Sequence, residues 1–161
     1  MANSQFITTA KNAIIREFIK DRNIVDAIHA VDIKSPEKLK GTHIFDYHQN
    51  PNTLNKVGTF ITIQVHEQTP FYESQSFVVP TIEIWIFSHE NHMIVDNIPK
   101  INVNRNDYLS QLIDQKLNGK DIGIGGLTLT DNSEGAYQQD YVFRKMLFTT
   151  MSLNDSMCED E

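Results

Sequence analysis

Ser76-Phe77-Val78-Val79-Pro80-Thr81-Ile82-Glu83-Ile84-Trp85-Ile86-Phe87-Ser88 is the most apolar stretch of the chain, and its reading decides the fold. β-Branched and aromatic residues dominate it, and these fit a pleated, half-buried surface, so it reads as a strand. Side chains alternate across a strand, which puts Ile82, Ile84 and Ile86 on one face and Glu83, Trp85 and Phe87 on the other. Both faces are largely apolar. Such a strand belongs inside a sheet, with one face under a layer of the same chain and the other under a further layer or a neighbouring subunit.

Upstream, Gly58 to His66 alternates cleanly, with Thr59, Ile61, Ile63 and Val65 facing one way and Phe60, Thr62 and Gln64 the other, a second strand. The loop Glu67 to Gln75 joins the two, and a simple return pairs them antiparallel. Its adjacent aromatics, Phe71 and Tyr72, suit either a lid on the core or an anchor in a subunit interface. Downstream, Asn104 caps a helix that runs to Gly119, with Asp107 at its positive end and Tyr108, Leu109, Leu112, Ile113 and Leu117 as the stripe that covers the sheet. A short strand Leu127 to Thr130, a polar tip from Asp131 to Gly135 and a long strand Tyr137 to Ser152 follow. On that last strand Tyr141, Phe143, Lys145 and Leu147 alternate with Val142, Arg144, Met146 and Phe148.

The N-terminal part reads as two helices. Gln5 to Lys20 places Phe6, Ile7, Ala10, Ile14 and Phe18 at helical spacing, and Ile24 to Val31 forms a shorter helix ended by Ser35-Pro36. From Lys34 to Gly58 the chain is polar and broken by Pro and Gly, apart from the short apolar piece His43 to Tyr47. Long loops of this kind often order against a neighbour, so Phe45 and Tyr47 join Phe71 and Tyr72 as candidate interface residues. The expected fold is α+β, a mixed, mainly antiparallel sheet with a helix packed on one face and N-terminal helices. Its expected core is Ile61, Ile63, Val65, Ile82, Ile84, Ile86, Leu109, Leu112, Ile113 and Leu147. Residues 1–153 read as a single domain and 154–161 as an acidic, disordered tail.

The chain has 161 residues with a net charge of -7, which argues against a protein that grips nucleic acid through phosphate contacts. The imbalance is uneven: eight Lys/Arg face nine Asp/Glu up to His89, and six face twelve from Glu90 on. The N-terminal residues lack the basic start and apolar core of a signal peptide, no apolar run is long enough to span a bilayer, and Cys158 is the one cysteine. A cytoplasmic origin, with no membrane segment and no disulfide framework, is the expectation.

Catalytic and metal chemistry find little support. His29, His43, His48, His66, His89 and His92 are scattered over loops and strand ends without a convergent triad, and Asp46 between His43 and His48 is the best titratable cluster. His89 and His92 lack the helical spacing and the further ligands that zinc requires. Gly123-Ile124-Gly125-Gly126 follows a helix instead of opening one, so it reads as a turn and not as a phosphate loop. The expected catalytic, cofactor and metal sets are all empty.

The runs Pro80 to Phe87, Arg105-Asn106-Asp107-Tyr108-Leu109-Ser110-Gln111-Leu112-Ile113-Asp114, Gly125 to Leu129 and Tyr141-Val142-Phe143-Arg144-Lys145-Met146-Leu147-Phe148 together resemble the tail-terminator and neck proteins of long-tailed bacteriophages. The resemblance spans roughly residues 57 to 153 and rests on a strand, an Arg-x-Asp helix, and a returning strand with an apolar-Arg-x-apolar-x-Phe run. It implies a non-catalytic virion subunit, a hexameric ring that terminates the tail tube and joins it to the head connector. DNA would pass through the ring without sequence-specific binding, and Asp131, Glu134 and Asp140 are candidates for keeping its lumen negative. The partners it implies are other copies of the chain and the tail-tube and head-connector proteins. The alternatives are another neck component, an adaptor or stopper, or a generic oligomeric binding module.

Overall fold

A computed structural model describes residues 4–54, 56–67, 77–150 and 152–153. The described residues include three α-helices: α1 (Ser4–Lys20), α2 (Arg22–Ile28) and α3 (Arg105–Leu117). The strands are β1 (Ile44–Phe45), β2 (Thr59–Glu67), β3 (Phe77–Val78), β4 (Pro80–His89), β5 (Thr128–Tyr137), β6 (Tyr141–Thr149) and β7 (Ser152–Leu153). The fold is α+β, as the patterning implied. Five strands form a sheet in the order β1-β2-β4-β6-β5, in which β1 pairs parallel to β2 and every other pair is antiparallel. A separate ladder joins β3 to β7.

The apolar stretch read first is the central strand. Its β-bonded register sets Ile82, Ile84 and Ile86 beside Val65, Ile63 and Ile61 of β2, and sets Ile82 and Ile84 beside Phe148 and Met146 of β6. This is the face under the helices, where α1 and α3 contribute Ala10, Ile14, Phe18, Leu109, Ile113 and Leu117, all fully buried. Burial stabilises each of the Ile, Leu and Phe side chains among them by roughly 1.5–3 kcal/mol, the main force holding helix to sheet.

Several sequence expectations shift. Leu147 was expected in this core, but β6 pairing puts Met146 and Phe148 there and turns Leu147 to the other face, because neighbours on a strand cannot share a side. Leu112 lies at the margin of the α3 stripe and is only partly buried, while Ser110 and Asn106 take buried positions. The polar run Asp131 to Gly135 is not a tip. It lies within β5, and the chain reverses at Gln138–Asp140, with Gln138 in the left-handed region at φ 57°. Polar residues at an edge strand look like a loop in sequence because neither face needs to be apolar.

The helix ends follow their capping chemistry. Asp21 accepts from the backbone N–H groups of Asn23 and Ile24 to start α2, and Asn104 accepts from Asp107 N at 2.8 Å to start α3. α2 ends at Ile28, short of the Val31 expected, and His29 turns the chain in the left-handed region. Among the described residues no α-helix covers the second face of the sheet. Phe45, Phe60, Phe87 and Tyr141 are buried there as a smaller core, partly closed by Leu54 from the 3₁₀ turn Pro51–Leu54.

Candidate functional site: the open border of the sheet

Beyond the second core, the helix-free face becomes a polar ladder with an aromatic floor. Trp85 stacks on Phe87 with ring centres 5.6 Å apart and packs against Phe143 at 4.7 Å, and Lys145 lies over the indole at 5.3 Å. Glu83 receives Lys145 at 3.6 Å and His66 at 3.3 Å, so its carboxylate finds its partners within this face. Gly135 of β5 lets the Phe143 ring lie directly over the strand; a Cβ there would meet the ring at 2.9 Å.

The expected interface residues separate into two kinds. Phe45 is 2% exposed and belongs to the second core, whereas Tyr47, its edge-to-face neighbour at 5.6 Å, is 51% exposed. Phe71 and Tyr72 lie outside the described residues. The three candidate lumen acids do not share a surface. Asp131 registers with Leu147 on the helix-free face, Glu134 registers with Arg144 on the helix side, and Asp140 sits in the hairpin turn. All three are exposed, and Glu134 accepts from Arg144 Nη2 at 2.9 Å.

The outer border of the sheet is β5. No described strand pairs with its far side, so it presents an edge ten residues long. Asn118 accepts from Leu129 N at 2.9 Å and closes the start of that edge. The opposite border is different. Lys40 forms a parallel bridge to Ile44 and Gly41 N donates to Ile44 O at 2.8 Å, so the chain itself covers β1.

Arg105 is the polar residue that sequence reasoning missed. It is fully buried, and its guanidinium donates to the carbonyls of His92 at 2.7 Å, Ala27 at 2.7 Å and Ile94 at 2.8 Å and to Asn97 Oδ1 at 3.2 Å. Burial lowers its pKa from the ordinary arginine value, and Asp96 opposes that shift from 4.0 Å. The signal was present, since an arginine in the first turn of a helix opposes the positive end of the dipole and must have another use there. Its neighbours act in the same way. Asn106 donates to Val142 O at 2.9 Å, and Asp107 accepts from Arg144 Nε at 3.0 Å. Asn106 and Asp107 thereby clasp α3 to β6, through Val142 and Arg144, while Arg105 clasps it to α2 and to the segment His92–Asn97.

The histidines do not assemble a catalytic group. His43 turns inward, stacked on Phe60 and 3.4 Å from Asp32, while His48 meets Gln64 at 3.2 Å and the edges of Trp85 and Phe87. The cluster around Asp46 therefore splits. His92 pairs with Thr59 Oγ1 at 2.7 Å and stacks on His29, and burial, with Arg105 beside it, pushes its pKa down to about 4. A polar cleft of about 160 Å³ is lined by Asn52, Lys56, His89, Asp140 and Tyr141. Its groups are engaged in the fold: Tyr141 donates to Lys56 O, Lys56 pairs with Asp32 at 3.0 Å, and His89 Nδ1 accepts from Asn91 N at 3.1 Å.

A family model described as YomW matches residues 12–150, and the chain belongs to that family, which is of phage origin. No curated protein matches the chain.

Proposed function

We propose that this phage-family chain is a structural subunit of the virion neck, a tail terminator that assembles as a hexameric ring, caps the tail tube and meets the head connector, with DNA passing through its centre. The observation that carries the reading is one-sided coverage: helices bury one face of the sheet, while the other face bears exposed Tyr47 and partly exposed Trp85, and the ten-residue border β5 has no described partner. A subunit that completes its burial against neighbours has this character. Polar groups used as internal clasps, Arg105, Asp107, Arg144 and His92, favour a structural role over a catalytic one. Its place of action is then the virion, after assembly in the host cytoplasm.

Negative-stain microscopy combined with native mass measurement of the purified chain tests this. Closed rings with a central opening are expected. A chain that stays monomeric up to concentrations on the order of 100 μM, where weak self-association would already register, refutes it.

A further inference from the structure

Asn118 is the one asparagine of the chain that is followed by glycine. Asparagine is among the thermolabile residues because the next backbone nitrogen can attack its carboxamide. Glycine favours that attack, since it has no Cβ to shield its nitrogen and its backbone is free to bring the nitrogen close. Of the other asparagines, Asn12 precedes alanine, Asn3 and Asn132 precede serine, and the rest precede larger residues.

The Asn118-Gly119 step lies where α3 hands over to the segment that leads into β5. Asn118 N donates to Asp114 O at 2.9 Å to cap the helix, and Gly119 follows in the left-handed region at φ 72°. Three features hold the pair away from reaction. Asn118 Oδ1 accepts from Leu129 N at 2.9 Å, which turns the carboxamide toward the start of β5. The nucleophile, Gly119 N, donates to Leu127 O at 2.8 Å, so it gives up that bond before it can lose its proton. Closing a five-membered ring also needs the Gly119 nitrogen and the Asn118 Cβ nearly eclipsed about the Cα–C bond, and a ψ of 128° keeps them far from that. Both residues are exposed, so conformation and not burial is the guard, and water reaches them as soon as the bonds open.

We propose that Asn118 is a deamidation site of this protein and that opening of the α3–β5 junction sets its rate. In the opened junction Gly119 N loses its proton to solvent base and bonds to Asn118 Cγ. The Cγ–N bond of the carboxamide breaks, and its nitrogen takes up a proton and leaves as ammonia. Water then opens the cyclic imide. Attack at Cγ restores the main chain with aspartate at 118; attack at the backbone carbonyl carbon gives isoaspartate, whose main chain runs through the former side chain and is one methylene longer. Either product sets a new carboxylate at the C-terminal, negative end of α3, where an anion is unfavourable, so conversion loosens the same junction.

Incubating the purified chain at mildly alkaline pH, folded and in unfolding guanidinium chloride, tests this, with peptide-resolved mass spectrometry following each asparagine over time. In the unfolded chain Asn118 is expected to gain one mass unit before any other asparagine. In the folded chain its conversion is expected to be at least tenfold slower, because it waits on local opening. Leu129→Pro removes the donor to Asn118 Oδ1 near the start of an edge strand, where proline is tolerated. Once circular dichroism verifies its fold, that variant is expected to convert at least threefold faster than the folded parent. Earlier conversion of another asparagine in the unfolded chain overturns the site. A folded parent converting within tenfold of the unfolded one overturns control by the junction, as does an unchanged rate in folded Leu129→Pro.

Discussion

Arg105→Ala removes a guanidinium that satisfies three backbone carbonyls and one side-chain oxygen at the junction of α2, the segment His92–Asn97 and α3. Arg105 is 0% exposed, so water does not replace those bonds without opening the junction. Hydrogen bonds from a charged donor each contribute about 1.5–3 kcal/mol net, and buried acceptors left unpaired cost a similar amount. The bonds share one donor and are not additive, so the expected loss is about 3–5 kcal/mol, as for breaking a buried charge arrangement. Domains have only about 5–15 kcal/mol in total, so the variant should be near the margin. Arg105→Lys keeps the charge but cannot span the fork of acceptors, and about 2 kcal/mol or more should still be lost. Urea unfolding measures this as a fall in midpoint at constant slope. A loss below about 1 kcal/mol for the alanine variant would show that the junction is held by packing alone and would refute the clasp.

Three further outcomes are expected. His92 has a folded pKa near 4 against 6.5 unfolded, so the unfolded chain takes up the proton first: stability is full above pH 6.5 and declines as pH falls to 4, by up to roughly 3 kcal/mol. A His92→Gln variant should flatten that part of the pH profile of thermal unfolding, and an unchanged profile assigns the decline elsewhere. Ile113→Ala, in the helix-covered core, should cost about 2–5 kcal/mol, whereas Leu147→Ala should cost less than half as much in the isolated chain; equal losses would contradict the assignment of faces. Gly135→Ala should displace the Phe143 ring and cost about 1–3 kcal/mol, and a red-shift of tryptophan emission as Trp85 loses its neighbour is the companion signal.

Periodicity carried the fold far. The alternation in Gly58–His66 and Pro80–Phe87 identified β2 and β4 and their antiparallel return, and Asn104 with Gly119 marked α3 at both ends. What periodicity could not supply was which of two apolar faces the helices cover. On β6 both faces bear apolar residues, so only pairing with β4 tells Met146 and Phe148 from Leu147. The middle of β5, Asp131 to Gly135, was read as a polar tip because an edge strand exposed on both sides has no alternation to show there. The candidate site was less legible, since openness of a border is a property of strand order, and strand order depends on contacts distant in sequence. The clasp was visible only as an oddity, a cation at the wrong end of a helix.

The small β3–β7 ladder has a mechanical consequence. β3 leads into β4 across one residue and β7 leaves β6 across two, so the ladder is a two-stranded extension of the central pair of the sheet. A pull on this arm along the strand axis runs straight into β4 and β6 together, and the ladders to the flanking β2 and β5, nine residue pairs on each side, hold them back. Such a load falls on all rungs at once, in shear, and does not open them one after another. A force applied to the arm would therefore be shared across the sheet behind it.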